Sequence, residues 1–74
     1  MQLYKNISGR SGVLGYEIGH GSIKVKFHNG ETYLYNTQLP GPTHVDRMQA
    51  LAARGKGLAT YISRTVRDAY AAKL

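Results

Sequence analysis

Four side chains in the middle of the chain have the types and spacing to hold a phosphate-bearing ligand: Lys24 and Lys26, two apart, and Tyr33 and Tyr35, two apart. Residues two apart on a strand share a face, so cations and rings on paired strands would interleave. Rings could then stack on bases while ammonium groups hold phosphates, each stacked base contributing about 1–3 kcal/mol whatever its sequence. The same tyrosines suit packing against the N-terminal segment or a second copy of the chain. A second candidate is Gly55-Lys56-Gly57. It precedes a helical pattern whose free N–H groups and positive dipole end would favour an anion, and it would serve equally as a helix C-cap and turn. Arg54, Arg64 and Arg67 could add charge near that loop, although such residues also make an ordinary solvated helix face.

Other chemistry is poorly served. His20, His28 and His44 are scattered, lack the i, i+4 spacing of a zinc site and have no cysteine to join them, so no metal and no cofactor are expected. No paired-acid or activated-nucleophile pattern is visible, and the chain is too short for a deep pocket, which argues against an enzyme. Gly55-Lys56-Gly57 lacks the upstream Gly and the following Ser or Thr of a Walker loop.

Ten Lys and Arg against four Asp and Glu give a formal charge of +6 on 74 residues. That imbalance suggests a nucleic acid or a small nucleotide as partner, and it also serves solubility. A chain of this length forms one domain whose core supplies about 3–5 kcal/mol of net stability, so a homo-oligomer is expected. The lack of cysteine fits a reducing compartment. With no apolar signal region and no apolar run of spanning length, the reading is a cytoplasmic protein without a membrane partner.

Elements that could position these groups follow from the pattern. Ile23–His28 and Glu31–Tyr35 flank Asn29-Gly30, the signature of a tight hairpin. With Asn29 and Gly30 as a two-residue loop, Lys26 opposes Tyr33, Val25 opposes Leu34 and Lys24 opposes Tyr35. That register puts Ile23, Val25, Phe27, Thr32 and Leu34 on a core face and the Lys and Tyr pairs on the other. Val13–Ile18 adds a strand through a His20-Gly21 loop, pairing Ile18 with Ile23, Tyr16 with Val25, Leu14 with Phe27 and Glu17 with Lys24. After Leu39-Pro40-Gly41-Pro42, Thr43–Arg54 reads as a helix with Thr43 as N-cap and Asp46 three residues on, ended by Gly55. A second helix is predicted from Leu58 to Lys73. The expected architecture is α+β: a three-stranded antiparallel β-meander followed by two helices packed on one face, in the order βββαα. Residues 1–12 form an N-terminal arm or edge strand, and 13–74 the domain.

Val13-Leu14-Gly15-Tyr16-Glu17, Ile23–Phe27 with Asn29-Gly30, Tyr33-Leu34-Tyr35, Leu39-Pro40 and Gly55-Lys56-Gly57 before Tyr61-Ile62 together resemble the KTSC domain. This short module is named for the C-terminal domain of some lysyl-tRNA synthetases and also occurs as free-standing bacterial and phage proteins. The resemblance covers roughly residues 12–62. It implies RNA binding without catalysis. Three functional expectations follow: a non-catalytic binding module for RNA or another nucleic acid, a small oligomer that encloses and sequesters a small nucleotide signal, and a protein-interaction subunit in which Tyr33, Tyr35 and Val13 form the docking surface.

Overall fold

The computed structural model describes residues 1–7, 9 and 11–74. Of the N-terminal segment expected to be an arm or edge strand, Ser8 and Arg10 lie outside the described residues. The elements are β1 (Gln2–Leu3), β2 (Val13–Gly19), β3 (Ser22–Phe27), β4 (Thr32–Asn36), α1 (Pro42–Arg54), α2 (Leu58–Tyr61) continued by a π-helical segment (Ile62–Val66), and β5 (Ala72–Lys73). The class is α+β with an antiparallel sheet and two helices. The sheet has five strands in the order β1-β2-β3-β4-β5, not three.

The β2–β3 register is the expected one over most of its length, with Ile18 opposite Ile23, Tyr16 opposite Val25 and Glu17 opposite Lys24. It shifts between Val13 and Gly15. That bulge puts Val13, not Leu14, opposite Phe27 and into the core, because an extra residue on one strand rotates the next side chain to the other face.

The β3–β4 hairpin differs from expectation in a way that moves the candidate site. Its loop has three residues: the Phe27 carbonyl accepts the Gly30 N–H at 2.9 Å, and the Phe27 N–H donates to the Glu31 carbonyl at 2.9 Å. Gly30 has φ 89, whereas Asn29 does not adopt a positive φ. A two-residue type I′ loop needs positive φ at both central positions, and a turn closed by one left-handed glycine is the alternative. Ile23 therefore pairs with Tyr35, Lys24 with Leu34, Val25 with Tyr33 and Lys26 with Thr32. A slip of one residue exchanges the two faces of the strand. Tyr33 and Tyr35 turn toward the helices, and Leu34 and Thr32 join Lys24 and Lys26 on the outer face.

α1 begins at Pro42 with Gly41 as its cap, so Thr43 lies inside the helix, and no side-chain cap bond is made. Pro suits the first helical position because its missing N–H would be unpaired there anyway. Val45, Met48 and Ala52 are buried against the sheet. Gln49 ties the helix to the β2–β3 turn by donating to the carbonyls of Ser22 at 2.8 Å and Gly19 at 3.2 Å.

The predicted helix to Lys73 stops early. The Arg67 N–H reaches the Ile62 carbonyl, five residues back, and Arg67 leaves the helix with φ 48. The chain then returns to the sheet, where Ala71 and Leu74 donate to the carbonyls of Leu34 and Thr32 at 2.7 and 2.8 Å. Completing the exposed edge of β4 satisfies backbone groups that a longer helix would have left in water. At the opposite edge, β1 pairs with β2. Tyr4 is buried there, and its hydroxyl accepts the Leu58 N–H at the start of α2 at 3.2 Å. The core runs through Val13, Ile23, Val25, Tyr35, Val45, Met48 and Leu58. Among the described residues no helix is long and apolar enough to cross a membrane.

Candidate functional site: an aromatic cluster and dispersed cations

The register separates the groups that the sequence suggested would act together. Tyr35 is 1% exposed, and burial pushes its phenol up to about 12. Val13 is equally buried. A docking surface made of Tyr33, Tyr35 and Val13 is therefore not formed, nor is the face on which Lys24 and Lys26 alternate with the two tyrosines. Lys24 and Lys26 project from the opposite side of the sheet, where Lys24 meets Glu17 at 3.5 Å.

Tyr33 keeps a half-exposed position at the hairpin end of the inner face. Its ring lies 4.7 Å from Tyr70 and 5.7 Å from Phe27, and Tyr70 in turn meets Tyr35 edge-on at 6.5 Å. Edge-on and tilted pairs of this kind align a positive ring rim with a negative face. The Tyr33 hydroxyl donates to Glu31 Oε2. The other carboxylate oxygen is 2.8 Å from Lys73 Nζ, which also lies over the Tyr33 ring at 5.9 Å. Lys73, and after it the Tyr33 hydroxyl, hold the Glu31 carboxyl below its ordinary value, while Glu31 raises both Tyr33 and Lys73.

A pH dependence follows. A carboxyl with a depressed folded-state pKa adds stability that is present above the ordinary carboxylate value and lost as pH falls through the lowered one. On acidification below about pH 4, β5 is expected to loosen before the core unfolds. Hydrogen exchange should show the Ala71 and Leu74 amides losing protection first, with Glu31→Gln lacking that early phase because its loosened state is already present at neutral pH. Simultaneous loss of protection across the whole sheet in the natural sequence would contradict this.

At the other edge, Lys5, Arg54 and Lys56 gather around Gly55. The Ile7 N–H donates to the Gly55 carbonyl at 2.8 Å, and the stem of Lys5 crosses directly over Gly55. The Gly55 N–H is used within the end of α1, and the Leu58 N–H is taken by Tyr4. These groups make the loop a C-cap and turn, with Gly55 and Gly57 both left-handed. What it offers outward is the charge of exposed Arg54 and Lys56. Arg64 lies on the π-helical segment and Arg67 at its C-cap, both exposed.

Tyr4, Tyr70 and Lys73 complete these clusters in ways that sequence reasoning misses. Tyr4 follows β1 and is isolated in sequence from its partner Leu58, while Tyr70 and Lys73 fall in the part of the predicted helix, beyond Val66, that is not formed. Of the histidines, His44 Nδ1 is 2.6 Å from the Tyr61 hydroxyl, and no cluster of metal-ligating side chains occurs among the described residues.

No family model, curated protein or solved structure matches this chain.

Proposed function

We propose that this chain is a non-catalytic module that binds RNA through its phosphates. The observation that carries this reading is the surplus of cations, most of them exposed, once the ion pairs among the described residues are counted. Glu17 and Glu31 are engaged by Lys24 and Lys73, which leaves Lys5, Lys26, Arg47, Arg54, Lys56, Arg64 and Arg67 with only Asp46 and Asp68 as remaining acids in the sequence. Those cations are spread over the outer sheet face, α1, the Gly55 loop and the π-helical segment of a body 30 × 22 × 22 Å. A single small nucleotide needs donors that converge on it, whereas a polymer with recurring phosphates can meet donors dispersed over a surface. Dispersion therefore favours the polyanion over an enclosed nucleotide signal. The resemblance to the KTSC module points the same way.

The test is fluorescence anisotropy with a single-stranded RNA oligomer across a salt series. Affinity should fall steeply between about 50 and 200 mM salt. Replacing Lys5, Arg54 and Lys56 together by Glu should lower the slope of log K against log salt by about 2, at about 0.7 for each phosphate that is no longer neutralised. An affinity that ignores salt, or a triple variant with an unchanged slope, would overturn the reading.

A second reading, a self-associating subunit, is favoured by the exposure of Met1, Leu3 and Ile7 in the N-terminal segment. It would give a concentration-dependent sedimentation coefficient that Leu3→Glu abolishes.

A further inference from the structure

The helix layer covers Ile23, Val25 and Tyr35 completely but leaves Phe27 and Tyr33, at the hairpin end of the same sheet face, half-exposed. There a shallow, open cleft of about 380 Å³ is lined by Gly12, Phe27, His28, Asn29 and Tyr33.

From this geometry we infer that the cleft is a subsite for one nucleobase of a phosphate-bearing chain. The inference rests on the RNA reading and gives it a position. The cleft walls present two rings held edge to face, 72° apart, and Tyr33 is fixed because its hydroxyl is already held by Glu31. The Asn29 side-chain carbonyl oxygen is likewise used, accepting the Glu31 N–H at 2.9 Å. What the walls offer is ring surface with little unspent polarity, which suits an uncharged planar group rather than a phosphate. His28 is also among the lining residues, and Lys73 lies over the Tyr33 ring, its charge balanced by Glu31 at 2.8 Å. A base inserted here would leave its phosphates outside the cleft, whose lining carries no Lys or Arg. Gly12, itself exposed, also lines the cleft, and an added Cβ there would meet nothing within 4 Å. Gly12 is also held in place, its carbonyl accepting the His28 N–H at 2.9 Å. A larger side chain at position 12 would therefore add bulk at the edge of the cleft, its Cβ displacing no neighbour.

The experiment is an NMR titration with adenosine, with ribose 5-phosphate as the control that lacks a base, and with inorganic polyphosphate as the control that lacks both base and sugar. Adenosine should move the Gly12, Phe27, His28 and Tyr33 resonances, and ribose 5-phosphate should not. Gly12→Leu should abolish those shifts while leaving the melting temperature and polyphosphate binding unchanged. Tyr33→Phe, which keeps the ring, should retain adenosine binding, and Tyr33→Leu should weaken it about 5- to 150-fold, the equivalent of one stacked base. If adenosine leaves these resonances unmoved, or Gly12→Leu binds it as the natural sequence does, the cleft is not a base site. Polyphosphate binding then still reports on the charge reading separately. Adenosine binding without polyphosphate binding would retire the charge reading and keep the cleft.

Discussion

Tyr35→Ala is expected to abolish folding at 37 °C. The side chain is 1% exposed and lies between Ile23 on the neighbouring strand and Tyr70 from the C-terminal segment. Truncating a fully buried aromatic costs about 3–5 kcal/mol, which equals the whole net stability available to a chain of this length. A far-UV circular dichroism melt should show a cooperative transition for the natural sequence and none for the variant. Tyr33→Ala, at a half-exposed position, should lower the melting temperature and leave a folded protein. If Tyr35→Ala melts like the natural chain, the register that buries this ring is wrong, and the outward-facing pair implied by a two-residue loop becomes the better account.

Gly55→Val should be almost as damaging, for a reason that belongs to the backbone and the N-terminal segment together. Gly55 has φ 80, a conformation in which a β-branched residue is strained by about 1–3 kcal/mol. Any Cβ there would also lie 2.5 Å from the Lys5 Cβ, so the segment that carries Tyr4 would have to lift away. Tyr4 would then release the Leu58 N–H and leave the core. The expected readout is a melting temperature lowered by more than about 10 °C, since about 1 kcal/mol moves a domain of this size by roughly 4–8 °C. New exchange should appear at Leu58 and in β1. Gly55→Ala, with the same clash and less strain, should fall between the two, and a valine variant of unchanged stability would show that Lys5 does not cross this glycine.

The parts of the fold legible in the sequence are those where one local choice agrees with the hydrophobic pattern. The turn at His20-Gly21 fixes the pairing of Ile18 with Ile23, because any other register would separate Glu17 from Lys24 and put Tyr16 in the wrong layer. The C-cap at Gly55 is legible for the same reason. Reading fails where two backbone solutions fit one pair of residues. Asn29-Gly30 can close a two-residue or a three-residue loop, and the alternation in Thr32–Tyr35 offers apolar or aromatic residues to either face, so pattern alone does not choose. The candidate site inherits that ambiguity: the tyrosines and lysines are the right side chains to notice, but a shift of one position places them in different layers. The C-terminal strand is hidden differently. Leu58 to Tyr70 has helical spacing, and only the π-helical turn and Arg67 at φ 48 redirect the chain. A long-range gain, the docking of Tyr70 and Ala71 on β4, outweighs local propensity there.

The brevity of β1 and β5, two residues each, bears on how this protein behaves at high concentration. A sheet grows into fibrils by offering a long row of unpaired amides to the next chain, and here neither margin presents such a row. Removing residues 71–74 would uncover Thr32–Asn36, five residues with alternating tyrosines and no charge, as a bare template. The last few residues thus act as a guard against amyloid-like growth as well as a support for the aromatic cluster.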